Sequence, residues 1–262
     1  MHPDILHWGV LHIRSYGLML AVAFLSGTWL ALREARRRGL DEDKLVTVIL
    51  VVLVSSVIGA RALYVLEHVQ EFRREWGSVL AIWQGGLTLY GGVVAGTLAG
   101  LVTARQIGMP MWSVADTLTP SFALGTVFGR IGCFLNGCCY GIPTTQPWGV
   151  RFPADSFAGL EFGSSAVHPS QLYLAASGFA LFLIAWLLRT RLKTPGTLFW
   201  TFMAMFALIR IPLDFSRAYE PEAVVMSWGA IPVVESQVTS LTLVLFALLM
   251  IVRLRRMRRA RA

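Results

Sequence analysis

The sequence has few charged residues. They make up 15% of its 262 residues, and 55% are hydrophobic, whereas a soluble domain carries about 25% charged residues. This composition excludes a disordered chain, a collagen-like fibre and most soluble folds. The sequence also lacks an evident internal repeat, a low-complexity linker and a convincing signal peptide, because basic residues follow the first apolar stretch rather than precede it. We therefore expect a single membrane domain over residues 1–262.

The hydrophobic residues are concentrated in runs that approach the length needed to cross a bilayer, which is about 20 residues. The runs cover residues 16–32, 45–66, 87–104, 114–135, 171–188, 196–213 and 238–252. They predict an all-α membrane protein with about seven transmembrane helices. The third and fourth runs are the weakest.

The formal net charge of +8 would favour a nucleic-acid partner in a soluble protein, but here the basic residues share the chain with membrane spans. With the N-terminus outside, 15 of the 23 lysines and arginines lie in the inner segments, including the C-terminal tail. Positive charge near the ends of spans stays in the cytoplasm. We therefore predict an outer N-terminus, a cytoplasmic C-terminus, an outer loop over 136–168 and no nucleic-acid partner.

Four arginines, Arg14, Arg61, Arg130 and Arg210, lie at or within the runs, where a charge near the bilayer centre costs at least about 2.5–3.5 kcal/mol. Arg210 and Asp214 share one helical face if the helix continues through Pro212. They form either a buried ion pair or a phosphate-binding arginine oriented by a carboxylate. Arg61 and Tyr64 also share a face, which fits interfacial anchoring as well as a site.

Two segments are rich in glycine. Residues 129–141 contain four glycines around Arg130, which indicates the wall of a site or a close helix contact. Residues 84–96 place two glycine pairs around Tyr90, which predicts a broken segment lining a lipid cavity. A small-residue packing seam, Gly92-x3-Gly96, explains only the later glycines of that segment.

All three cysteines, Cys133, Cys138 and Cys139, lie in seven residues. Their spacing lacks the second pair of ligands that is typical of zinc sites, so we predict no metal site. A disulfide between Cys133 and Cys138 stays open, since sequence alone cannot establish connectivity.

Together these segments resemble the bacterial phosphatidylglycerol–prolipoprotein diacylglyceryl transferases. The resemblance runs along nearly the whole chain. It rests on Tyr16-Gly17, Gly59-x-Arg61-x2-Tyr64, Gly85-Gly86, Gly129-Arg130-Ile131-Gly132-x-Phe134-x-Asn136-Gly137-x2-Tyr140-Gly141, His168-Pro169-Ser170-Gln171-Leu172-Tyr173, Arg210 and Ser236-Gln237-x2-Ser240.

The resemblance implies the first step of lipoprotein maturation at the bacterial inner membrane. Diacylglycerol passes from phosphatidylglycerol to the lipobox cysteine thiol of a preprolipoprotein, glycerol 1-phosphate is released, and no cofactor is used. The implied catalytic residues are Arg130, Arg210 and Tyr90. The implied substrate-binding residues are Tyr16, Arg61, Tyr64, Asn136, Gly141, His168, Gln171 and Asp214.

This sequence also departs from the family's usual pattern. Tyr90 stands where a histidine is usual, and histidine accepts a thiol proton near neutral pH far more readily than tyrosine does. Cys133 and Cys138 replace an asparagine and a glutamate, and Asp214 is a shorter acid. The alternative interpretation is therefore a divergent paralogue that uses another acceptor, or that binds or moves phospholipid without catalysis.

Overall fold

The computed structural model describes residues 4–8, 11–73, 76–82, 85–219, 224–228 and 231–259. Helices dominate this part of the chain. They are α1 (Ser15–Arg38), α2 (Glu42–Glu67), α3 (Val69–Phe72), α4 (Leu89–Gln106), α5 (Met111–Asn136), α6 (Phe157–Phe162), α7 (Ser170–Leu188), α8 (Thr197–Asp214) and α9 (Glu235–Arg259). The other elements are a 3₁₀ helix, Trp76–Leu80, and the strands β1 (Asp4–Trp8), β2 (Leu11–Arg14), β3 (Val224–Trp228) and β4 (Ile231–Val234).

Each of the seven apolar runs forms a helix, which confirms the predicted all-α membrane class. Six of these helices, α1, α2, α5, α7, α8 and α9, are long and apolar enough to cross a membrane. The seventh, α4, has 18 residues, and its glycines and polar C-terminal end lower its mean hydropathy. Seven spans, and their orientation, stay predictions.

The chain divides into two compact units. One is Leu32–Val114, and the other combines Met1–Ala31 with Ala115–Ala262. Both boundaries fall inside long helices, so α1 and α5 each contribute residues to both units. That the whole chain forms one membrane domain stays a prediction.

In the unit Leu32–Val114, α2 and α4 pack backbone against backbone. A Cβ atom on Gly91 would lie 2.3 Å from the carbonyl oxygen of Gly59, and one on Gly96 would lie 2.1 Å from the Ser56 hydroxyl. A Cβ on Gly92 would lie 3.1 Å from the Ser56 carbonyl oxygen, so Gly92 and Gly96 of the predicted seam both face α2. Gly85 and Gly86 precede α4 with φ angles of +90° and +74°, which explains why the helix begins only after them.

In the other unit, α5 contributes to both the core and a helix cap. Ala123 of α5 packs with Leu181 of α7 and Phe202 of α8 in a buried cluster. The Asp116 carboxylate accepts hydrogen bonds from the backbone N–H groups of Gly196 and Phe199, both at 2.9 Å. Since the first N–H groups of a helix have no partner within it, Asp116 caps α8.

The segment between α5 and α7, predicted as the outer loop 136–168, has a small core of its own. Phe152, Ala158 and Val167 are buried together. Val167 exchanges backbone hydrogen bonds with Val150, and Gly141 forms a β-bridge with Arg217. The segment is therefore ordered around the end of α5.

Two antiparallel hairpins each lead directly into a long helix. In β1–β2, Trp8 pairs with Leu11, and in β3–β4, Trp228 pairs with Ile231, with a register shift at the corresponding place in both hairpins. The two strand pairs thus share one register, and in the sequence a Trp-Gly pair begins at Trp8 and again at Trp228. That the sequence has no internal repeat stays a prediction.

Candidate active site

The C-terminal end of α5 determines how the segment 129–141 folds. The N–H of Cys138 donates to the carbonyl of Cys133, the N–H of Gly137 donates to that of Phe134, and Gly137 has φ +71°. This is a Schellman motif, in which the residues at the two ends of the longer hydrogen bond are neighbours. The helix end itself therefore brings Cys133 next to Cys138.

Cys139 completes a cluster of three free thiols. It is the one non-glycine residue in the described part of the chain with a positive φ, 60°. The sulfur atoms of Cys133, Cys138 and Cys139 all lie within 4.8 Å of one another. The disulfide that the sequence left open is not formed.

The surroundings of Cys139 favour the ionised form of its thiol. Hydrogen bonds from the thiols of Cys133 and Cys138 lower the pKa of Cys139, and the positive charges of Arg217 and Arg130 act in the same direction. Cys139 therefore experiences the electrostatic field of two arginines that come from different elements.

Arg130, Tyr16 and Asn136 lie around this helix end. Arg130 and Asn136 are half-buried on the last two turns of α5. A Cβ on Gly132 would lie 3.1 Å from the Tyr16 ring, so the glycine lets that ring approach the backbone of α5. The structure thus brings three predicted site residues to one end of α5.

Gly141, His168 and Gln171 have packing roles in the structure. A Cβ on Gly141 would lie 2.3 Å from the Ser216 carbonyl oxygen and 2.5 Å from that of His168, so this position accepts only glycine. The His168 ring nitrogen Nδ1 lies 3.1 Å from the Tyr173 hydroxyl. The buried Gln171 amide donates to the Cys138 carbonyl at 2.8 Å. These residues hold the cysteine segment against the start of α7.

Arg210 and Asp214 form the predicted ion pair near the end of α8. The Arg210 Nε lies 2.7 Å from the Asp214 Oδ1, and Asp214 is buried. The helix continues through Pro212, which was the condition for this pairing. The Tyr219 hydroxyl donates to Oδ1 at 2.7 Å, and the Ser236 hydroxyl donates to Oδ2 at 2.6 Å.

Arg217 connects this network to the cysteine cluster. Its Nη1 atom donates to the Tyr219 hydroxyl at 3.2 Å, and that hydroxyl also accepts from the Arg210 Nη2 at 3.1 Å. The Arg217 guanidinium also lies over the Tyr219 ring, 4.8 Å from its centroid. Because Arg217 also acts electrostatically on Cys139, it links the hydrogen-bond network near the end of α8 to the thiols near the end of α5.

In the unit Leu32–Val114, Arg61 is buried and bonded to backbone. It donates to the carbonyls of Ser78, Val79, Gly85 and Gly86 over 2.6–3.0 Å. An arginine has five N–H donors, so this pattern leaves one. Its guanidinium also lies 5.6 Å from the Tyr64 ring, as the shared helical face predicts. Arg61 thus fixes the glycine turn before α4.

Tyr90 occupies the second position of α4, and its side chain is 55% exposed. The turn that Arg61 holds precedes it by only a few residues. The phenol is therefore accessible at the start of the helix, next to a fixed backbone.

Known proteins are similar to this chain along nearly its whole length. The family model described as prolipoprotein diacylglyceryl transferase matches residues 3–253. The phosphatidylglycerol–prolipoprotein diacylglyceryl transferase of Geobacter sulfurreducens is 36% identical over 84% of this chain and 83% of its own length. The protein of that name from Solidesulfovibrio magneticus is 33% identical over 96% of this chain and 94% of its own length. The chain belongs to the prolipoprotein diacylglyceryl transferase family. With six candidate spans, this family member is a multi-pass membrane protein.

In this prolipoprotein diacylglyceryl transferase family member, sequence reasoning missed the roles of Arg217 and Tyr219. Arg217 lies three residues beyond the end of α8, so helical spacing from Arg210 does not place it. Tyr219 lies beyond the end of α8, where helical periodicity gives no guidance. Ser236 belongs to the motif Ser236-Gln237-x2-Ser240, but its hydrogen bond to Asp214 joins residues that are far apart in the sequence.

Proposed function

We propose that this chain is a phosphatidylglycerol–prolipoprotein diacylglyceryl transferase. The family match over residues 3–253 is the observation that carries the proposal. The donor is phosphatidylglycerol, and the acceptor is the lipobox cysteine in the signal peptide of a preprolipoprotein. The reaction is the first step of lipoprotein maturation in the bacterial inner membrane, with seven spans, the N-terminus and loop 136–168 outside, and surrounding membrane lipids in contact with the spans.

The reaction exchanges a carbon–oxygen bond for a carbon–sulfur bond. The acceptor sulfur attacks the glyceryl carbon that carries the phosphate ester, and the phosphate oxygen leaves with the bonding electron pair. Glycerol 1-phosphate departs, a thioether remains, and the thiol proton passes to a base. Negative charge therefore develops on the phosphate, where fixed cationic donors give the greatest stabilisation.

Arg130 and Arg210 are the proposed phosphate ligands, because a guanidinium offers paired N–H donors to phosphate oxygens. Asp214 and Tyr219 orient Arg210 through the bonds described above. Tyr16 and Asn136 are neutral donors for the head group.

The remaining predicted residues have supporting roles. Gly141, His168 and Gln171 hold the segment that carries Asn136, and Tyr64 lies beside Arg61. Since Arg61 already donates to four carbonyls, we propose that it fixes the turn before α4 rather than binding the phosphate. Tyr90 is the proposed proton acceptor. Neither a cofactor nor nucleic acid takes part.

The test is direct release of glycerol 1-phosphate. The purified protein in detergent is incubated with phosphatidylglycerol and a lipobox peptide, with the Geobacter sulfurreducens relative as a positive control. Release that requires the peptide cysteine supports the transferase, and Arg130→Ala or Arg210→Ala should abolish it. If the relative works and this chain releases nothing, the transferase proposal fails.

The second candidate is the divergent paralogue, which the tyrosine at position 90 favours. It predicts that the protein binds phosphatidylglycerol but transfers nothing to a lipobox thiol. Release with an acceptor other than the peptide would instead identify a related head-group transferase.

A further inference from the structure

The thiols of Cys133, Cys138 and Cys139, which lie within seven residues of sequence, come together in the structure. The Schellman motif places the side chains of Cys133 and Cys138 on the same side of the helix end. The left-handed backbone at Cys139 then turns the third side chain back toward the first two. A non-glycine residue in this conformation costs free energy and persists only where its surroundings enforce it.

We propose that Cys133, Cys138 and Cys139 form a binding site for one thiophilic metal ion of the Zn²⁺ type, with three thiolate ligands. This site is additional to the transferase chemistry and does not depend on it. The spacing in the sequence did not indicate a metal, because it contains only three ligands and two of them are adjacent. The structure does indicate a metal site, because the three sulfur atoms lie close together.

The distances between the sulfurs are close to those that a metal requires. Zinc–sulfur bonds are about 2.3 Å long, so thiolates around one ion lie about 3.8–4.0 Å apart. The three sulfurs here lie within 4.8 Å of one another. Closing the difference requires shifts of less than about 1 Å, which side-chain rotation supplies. The fourth position of a tetrahedral ion stays open for water or another ligand.

The local charge suits an anionic metal–thiolate group. Three thiolates and one Zn²⁺ carry a net charge of −1. Arg217 and Arg130 both act electrostatically on the cluster through Cys139, so positive side chains lie on its border. The nearby positive charges lower the free-energy cost of partly burying the thiolates, compared with thiolates that have no counter-charge.

The segment that carries the ligands is also held in place. The Cys138 carbonyl accepts from the buried Gln171 side chain, and the Cys138 N–H donates to the Cys133 carbonyl. Hydrogen bonds of this kind hold the segment that carries the metal ligands, and support around the ligands raises the affinity for a metal.

The experiment uses the full chain, purified in detergent and reduced, with the reductant then removed without oxygen. Zn²⁺ is titrated against a coloured competing chelator, and Cd²⁺ is added separately to detect thiolate-to-metal charge transfer in the ultraviolet. We expect one ion per chain. Each single replacement, C133S, C138S or C139S, should weaken Zn²⁺ binding at least about tenfold, and the variant with all three serines should bind no ion tightly.

His68→Gln is the matched control, since it removes a metal-ligating residue type outside the cluster, and it should leave Zn²⁺ binding unchanged. Gel filtration in detergent checks that each serine variant is folded. Three results would each overturn the proposal: equal Zn²⁺ binding by the triple-serine variant, no stoichiometric binding by a chain with three free thiols, and a disulfide between two of the cysteines that persists through reduction. None of these results depends on transferase activity, so the two proposals fail separately.

Discussion

The Arg210 Nε lies 2.7 Å from the Asp214 Oδ1, one turn further along α8, with Pro212 between them. A proline inside a helix removes a backbone hydrogen bond and crowds the preceding turn. The ion pair therefore crosses the weakest part of the helix. It holds the guanidinium in place where the backbone alone would hold it least.

We expect Asp214→Ala to lower the rate of glycerol 1-phosphate release by about 10- to 100-fold, because a misplacement of a catalytic group by about 1 Å costs a comparable factor. Asp214→Asn keeps an oxygen acceptor and should lose less. The exposed Asp155→Ala serves as the control and should be neutral. Full activity of Asp214→Ala would show that the carboxylate does not position Arg210.

Replacing Arg61 should destabilise the protein before it affects chemistry. Arg61→Ala leaves four carbonyls without their donor, at a cost of at least about 2 kcal/mol in unfolding free energy. Thermal unfolding in detergent measures this as a lower Tm. Arg130→Ala, by contrast, should abolish release with little change in Tm. An unchanged Tm for Arg61→Ala would contradict this structural role of Arg61.

Tyr90→His should raise the release rate near neutral pH, because an imidazole accepts a proton there far more readily than a phenol does. Tyr90→Phe should reduce release strongly, since it removes the accepting oxygen and little else. The measurement is the initial rate across pH with saturating phosphatidylglycerol. Equal rates for the phenylalanine variant and the native chain would assign the proton to another group.

Asp116→Ala should lower the unfolding free energy by about 1–3 kcal/mol, because two N–H groups at the start of α8 lose their acceptor. Asp116→Asn keeps one acceptor oxygen and should lose less. The readout is again Tm in detergent, with Asp155→Ala as a neutral control. A native Tm for Asp116→Ala would mean that α8 needs no side-chain cap.

Gly91→Ala should weaken the contact between α2 and α4, since the new Cβ would lie 2.3 Å from the Gly59 carbonyl oxygen. Gly125→Ala in α5 is the matched control, because a Cβ there meets no atom within 4 Å. The control should be neutral or slightly stabilising, as alanine favours helices. Equal Tm values for the two variants would contradict the backbone seam.

The sequence was informative where one helix decides the outcome. Hydrophobic runs predicted the seven long helices, and the four-residue spacing predicted the pair Arg210–Asp214. The positions of Arg61 and Tyr64 on one face also followed from periodicity. In each case the interacting residues are a few positions apart, so helical geometry alone places them together.

The sequence was uninformative where tertiary contacts decide the outcome. Arg61 was expected to bind substrate or to anchor its helix at the membrane interface, and helical spacing did not reveal that it donates to carbonyls 17–25 residues further along the chain. The third thiol joins the cluster because of one unusual backbone angle at Cys139, which composition does not reveal. Tyr219 reaches Asp214 only because the chain turns after α8.

The cap that Asp116 provides has a consequence for the order of synthesis. The carboxylate belongs to α5, and the N–H groups that it accepts from lie 80 and 83 residues later. A chain made from its N-terminus presents Asp116 well before Gly196 and Phe199 exist. The two hydrogen bonds can therefore form only after the start of α8 has been made, and they join it to a helix that was synthesised first.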